Sequence, residues 1–120
     1  MMRLLLIALF AAIFVVMISV TVWAGSQANL LDPAVRAAFN AQSWAIATLF
    51  DAYCGFLTFF VWVAYRERSL SVTMLWLVLI LLLGNIAMSF YMLLQLLRMK
   101  PGEPLSALLA RREPSAPQAA

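Results

Sequence analysis

Trp44–Tyr65 reads WAIATLFDAYCGFLTFFVWVAY, a run apolar enough to cross a lipid bilayer except that a carboxylate, Asp51, stands inside it. A helix needs about 20 predominantly apolar residues to cross the hydrocarbon core. A charge within such a span is costly and is retained where a partner or a function meets it. Reading this stretch as a membrane helix decides the rest of the chain, because the polar segments on either side are too short to bury a core of their own.

Composition agrees. Of the 120 residues, 66% are hydrophobic and 11% are charged, against about a quarter charged in ordinary globular domains. The net charge of +3 comes from eight Lys and Arg residues. Most of them sit at the ends of apolar runs, where they anchor helices at the headgroup level. They do not gather on one solvated face, so no nucleic-acid partner is expected. Cys54 is the only cysteine, has no internal disulfide partner and reads as a small buried apolar residue. The chain has no histidine, which removes the commonest ligand for zinc, copper and haem iron and the commonest neutral-pH general base. No metal and no cofactor are expected.

Outward from the central stretch, Leu4–Trp23 carries no charge and only Ser19 and Thr21 as polar side chains. It is long enough to span the membrane and predicts a first helix over about 3–24. A signal peptide led by Arg3 and cleaved near Val22-Trp23-Ala24 is the alternative, but the apolar run exceeds the roughly 7–15 residues of a signal core. Asp32-Pro33 reads as an N-cap followed by proline at the first helical position, predicting a short surface helix over about 33–40. The second membrane helix covers about 41–65. Arg66-Glu67-Arg68-Ser69 forms a tight polar turn, and a third helix over about 70–98 follows, long enough to tilt. Arg98, Lys100 and Pro101-Gly102 stop it.

The expected fold is therefore all-α and integral to the membrane, with three transmembrane helices, the second and third forming a tight antiparallel hairpin. Residues 1–100 make one domain, and 101–120 a flexible Pro/Ala-rich tail. Trp23 and Trp44 mark one membrane surface; Trp62, Tyr65 and Trp76 mark the other. In this topology Arg3, Arg66 and Arg68 oppose Arg36, Arg98, Lys100, Arg111 and Arg112, and the positive-inside count does not decide orientation. The closeness of Arg3 and the Arg66/Arg68 turn to the membrane favours a cytoplasmic N-terminus.

Trp44, Thr48, Asp51, Gly55, Thr58 and Trp62 recur at spacings of four and three and share one helical face. The opposite face, with Leu49, Tyr53, Phe56, Phe60 and Val63, is a bulky ridge suited to lipid or another protein. Small and polar residues associate membrane helices, so the Asp51 face is expected to point inward. Asp51 and Asn85 are equally far from Arg68, which places them at equal depth, with Ala52 opposite Gly84. The candidate intramembrane polar site is Asp51, Asn85, Thr48 and Ser89, with Tyr91 and Gln95 nearer the helix-one end of the hairpin. Three roles for Asp51 stay open: packing glue worth about 1 kcal/mol, a proton or cation site, or a carboxylate that meets a cation on another subunit.

Enzymatic chemistry is not expected. Asp32, Glu67, Glu103 and Glu113 all lie outside the spans, so no second acid joins Asp51, and no phosphate loop or metal-ligand spacing is present. The expected role is a non-enzymatic accessory or assembly subunit of a membrane complex. The alternative is a proton-linked small-solute carrier or channel component using Asp51. Three helices shield a polar cluster thinly, so the expected partners are the lipid bilayer and either a second copy of the chain or a larger membrane protein.

The block Trp44-Ala-Ile-Ala-Thr48-Leu-Phe-Asp51-Ala-Tyr53-Cys-Gly55-Phe56, the turn Trp62-Val-Ala-Tyr65-Arg66-Glu67 and the segment Leu83-Gly84-Asn85-Ile86-Ala87-Met88 resemble an uncharacterised family of small multi-pass membrane proteins of bacteria and plants. That family is described only as a domain of unknown function. The resemblance implies a multi-pass helical membrane protein and no assigned activity; the expected location is the bacterial cytoplasmic membrane.

Overall fold

The computed structural model describes residues 1–112, which contain helices and no strand. Residues 113–120, the end of the expected tail, lie outside the described residues.

Helix α1 spans Met2–Gln27. The short helix α2, Pro33–Asn40, begins where local chemistry dictates: Asp32 Oδ1 accepts the Ala34 N–H at 2.8 Å, and Pro33 occupies the first turn, where its missing N–H costs nothing. Helix α3 runs from Ser43 to Arg66. Glu67–Ser69 are non-helical, and Ser69 caps α4, Leu70–Leu83. Helix α4 returns along α3, as the Tyr53 hydroxyl donating to Leu81 O at 3.3 Å requires.

The third apolar run is not one helix, which corrects the expected transmembrane span over about 70–98. At Gly84 the backbone takes φ 54° and ψ −123°, and a second helix, α5, starts at Asn85 and ends at Arg98. A side chain there would suffer twice. The positive φ favours glycine, and a Cβ would approach the Phe56 ring to 2.6 Å. The chain doubles back at this point: Trp76 of α4 and Tyr91 of α5 meet edge to face at 4.8 Å. Each arm has 14 residues, about 21 Å at 1.5 Å per residue, and a hydrocarbon core is about 30 Å thick. Neither arm reaches that length. Among the described residues only α1 and α3 are long and apolar enough to cross a membrane.

Two packing units hold this arrangement. Val63, Trp76, Ile80, Ala87 and Tyr91 are buried together, with Phe56, Phe59 and Phe60 of α3 against them. Leu96, Met99 and Leu108 form the second, covered by Leu6, Ile7 and Phe10 of α1. Helix α1 lies antiparallel to α5, since Arg3 Nε donates to Leu96 O at 3.0 Å while Phe14 meets Phe90 at 5.8 Å. Past Met17 every α1 residue is exposed, because the α4–α5 hairpin has ended. Over residues 43–54 of α3 only Ala45, Ile46 and Ala52 are half-buried and the rest are exposed, Cys54 included, which corrects its expected burial. The hairpin thus covers only one half of the two long helices.

Trp62 and Trp76, expected at a headgroup boundary, are members of the aromatic core around Tyr91. Trp44 and Trp23 are 84% and 64% exposed at the far end, as a boundary position requires.

Candidate functional site: two polar ends of one helix

The sequence places its polar face inward, and the fold turns it outward. Thr48, Asp51, Gly55 and Thr58 are all exposed, whereas Phe56, Phe59, Phe60 and Val63 pack against the hairpin. The physical reason is Gly84. Once the chain reverses there, the surface offered to α3 is the apolar, aromatic side of α4 and α5, and the Phe ridge matches it.

The expected polar cluster is divided accordingly. Thr48 Oγ1 donates to Trp44 O at 2.8 Å, and Ser89 Oγ donates to Asn85 O at 2.7 Å, so both hydroxyls are satisfied within their own helices. Among the described residues no hydrogen bond joins Asp51 to Asn85, Thr48 or Ser89. Asn85 and Ser89 line an apolar cavity of about 420 Å³ between α1, α3 and α5, with Phe10, Phe59 and Met92 among its walls. Thr48 lines a separate cavity of about 380 Å³ beside Phe39 and Ala52. The equal-depth argument fails beyond Gly84 because it assumed a straight helix. Gly84 itself faces Phe56, one turn from Ala52.

Tyr91 and Gln95 lie at the opposite end from that expected. The Tyr91 hydroxyl donates to Glu67 Oε1 at 2.8 Å, inside the α3–α4 turn. Arg66, 8% exposed, donates from Nε to Gln95 Oε1 at 3.2 Å and from Nη1 to the carbonyls of Ala107, Leu108 and Ala110 at 2.8–3.1 Å. Arg112 completes the cluster, with Nη1 at 3.5 Å from Glu67 Oε2 and Nη2 donating to Gln95 at 3.1 Å. Its backbone N–H donates to Arg66 O, and its carbonyl accepts from Arg68 Nε. Burying a guanidinium is tolerable only when its donors are met. Here main-chain carbonyls of the 105–112 segment meet them.

That segment was expected to belong to a flexible tail; it is a packed strap, with a 3-10 helix at Leu105–Leu108 and Leu108 buried. Two signals point to the cluster: Tyr91 and Gln95 share a face at i, i+4, and Gly84 interrupts an apolar run longer than a typical span. Neither identifies Arg66 as the partner without the reversal.

The reversal also redistributes charge. Arg98, Lys100, Arg111 and Arg112 join Arg3, Arg66 and Arg68 at one end, so seven of the eight Lys and Arg residues lie together and Arg36 stands alone at the other end. Among the described residues Glu67–Arg112 is the single ion pair, so Asp51 has no cation of its own chain. No three His, Cys, Asp or Glu side chains gather within the described residues as a metal site would need.

Fold and site together define an all-helical protein with two helices able to cross a bilayer and a short helical hairpin beside them. The chain belongs to the family described as protein of unknown function (DUF1475), whose family model matches residues 2–113. This bears out the expected resemblance to a family of unknown function. No curated protein and no solved structure matches the chain.

Proposed function

We propose that this chain is a non-enzymatic accessory or assembly subunit of a membrane complex, docking through the Asp51 face of α3. In this reading α1 and α3 cross a cytoplasmic membrane, and the α4–α5 hairpin enters from the cytoplasmic side and returns to it. The seven-to-one distribution of Lys and Arg supports cytoplasmic placement of Met1 and of the strap. The half-length hairpin follows the rule that apolar segments of 10–14 residues are buried or re-entrant rather than spanning.

The observation that carries the proposal is the exposure of a carboxylate on a helix that is otherwise apolar. Asp51 stands eight positions into α3, about 12 Å along its axis, within the span and beyond the reach of the hairpin. The surrounding face is small: a Cβ on Gly55 would meet nothing within 4 Å. Membrane helices associate through such faces, where backbones approach closely and polar groups bond across the joint. A partner helix bearing a cation or hydrogen-bond donor at that depth relieves the cost of burying Asp51.

Purification of the tagged chain from its native membrane in mild detergent, with mass determination, tests this reading beside Asp51→Asn. A stoichiometric membrane-protein partner that is lost in the variant is the expected result. A lone homo-oligomer in both samples refutes it. In that case Asp51→Asn belongs in a liposome proton-flux assay, where loss of flux from an intact, inserted protein supports the carrier alternative.

A further inference from the structure

We propose that the basic end of the molecule is a binding site for an anionic phospholipid, with the phosphate in an arginine-lined cleft and an acyl chain in the apolar cavity beside α5. The inference rests on the membrane placement proposed above, but concerns a different surface and a different ligand. The cleft has a volume of about 160 Å³, and Arg66, Arg98 and Arg112 line it together with Gln95 and Glu103. Arg66 donates to the strap and Gln95, and Arg112 is engaged with Gln95 and Glu67. Arg98 is exposed at the end of α5 and supplies a guanidinium suited to bidentate phosphate contact. Glu103, the acid in the wall, is engaged by the Lys100 N–H at 2.9 Å.

The apolar cavity adjoins this cleft along the same helix. Met92 lines the cavity and Gln95 the cleft, one turn apart, about 4.5 Å along the axis. The strap walls both, Leu109 on the cavity and Ala107 on the cleft. Helix α5 starts at the hairpin tip and ends at the charged surface, so the cavity lies deeper and the cleft shallower. That order is the order of a lipid in its leaflet. At about 420 Å³ the cavity is within the size of small-ligand sites, and its methionines, Met88 and Met92, adapt to a flexible chain. A neutral lipid would fill only the cavity and free phosphate only the cleft. Seven cations at this end select the anionic amphiphile, since juxtamembrane Lys and Arg attract acidic headgroups.

Native mass spectrometry of the full chain in mild detergent tests the proposal, with phosphatidylglycerol, chain-matched phosphatidylcholine and inorganic phosphate as probes. Phosphatidylglycerol is expected to be retained where phosphatidylcholine is not. Arg98→Gln should weaken its retention about fivefold, while Arg36→Gln, the same change of net charge at the other end, should leave it unchanged. Met92→Trp, which fills the cavity, should also weaken it. Equal retention of the two lipids, equal effects of the two arginine variants, or displacement by equimolar inorganic phosphate would each overturn the proposal. Alkaline carbonate extraction reads the membrane placement separately: a chain stripped from vesicles defeats the placement, whereas an inserted chain without lipid preference defeats this inference alone.

Discussion

Arg66 and Asp51 stand on the same helix and are treated in opposite ways. Arg66 is buried at the C-terminal end of α3, with Gln95 and three main-chain carbonyls accepting its donors. Asp51 is exposed, and among the described residues no cation or hydrogen-bond donor reaches it. The intramolecular polar network is concentrated at one end, where the turn, α5 and the strap converge. The other end carries a charge that the chain leaves unmet. A buried charge that is fully partnered holds a fold in register, and an unpartnered one on an apolar helix is the feature on which the proposed docking rests.

That contrast can be broken from the Arg66 side. Arg66→Met should cost about 3–5 kcal/mol, because it strands the strap carbonyls without their donor and leaves Gln95 with Arg112 alone. Denaturation in mixed micelles reads the loss, together with proteolysis within 105–112. A loss below 1 kcal/mol would mean that the strap is held by Leu108 rather than by charge. Gly84→Ala should cost about 2–3 kcal/mol through the positive φ and the contact with Phe56. Its effect should appear as loosened Trp76–Tyr91 packing in tryptophan fluorescence. Tyr91→Phe should cost about 1.5–3 kcal/mol, since it removes a hydrogen bond to a buried carboxylate.

From the Asp51 side the expected effects on the isolated chain are small. Asp51→Asn should change its stability by no more than about 0.5 kcal/mol, as at an exposed position. A larger destabilisation would show that Asp51 is packed within the chain and would erase the contrast. The smallest change tests the core between the two ends. The Trp62 indole nitrogen is buried with no hydrogen-bond partner among the described residues. Trp62→Phe removes that unmet donor while losing contact area, so the two terms should nearly cancel, within about 1 kcal/mol by thermal denaturation.

How much of this was legible depended on the range of the interaction involved. Helix α2 was readable from Asp32 and Pro33 because capping is settled within a single turn of chain. The C-terminal end of α3 and the break at Glu67–Ser69 follow from charges that interrupt an apolar run. The face of α3 that packs was misread, because small, polar and aromatic faces are all plausible interfaces in a membrane and hydropathy does not rank them. The polar cluster at Arg66 was missed for a related reason. Its members come from α3, the turn, α5 and the strap, and they meet only after the chain has reversed.

The sequence by itself determined an all-helical chain with three apolar runs each long enough to cross a bilayer, a carboxylate inside the second, and membership of a family of unknown function. Composition and periodicity suffice for the apolar runs and the carboxylate, which depend on residues close together along the chain, and the family is read from the match of its model. Only the tertiary structure decided that the third apolar run folds on itself, that Asp51 faces outward and that seven cations share one end. All three follow from one backbone conformation at Gly84, and the reason is physical: an apolar run of that length is compatible with one tilted helix or two short ones. The choice rests on whether Phe56 can occupy the space where a side chain at Gly84 would stand.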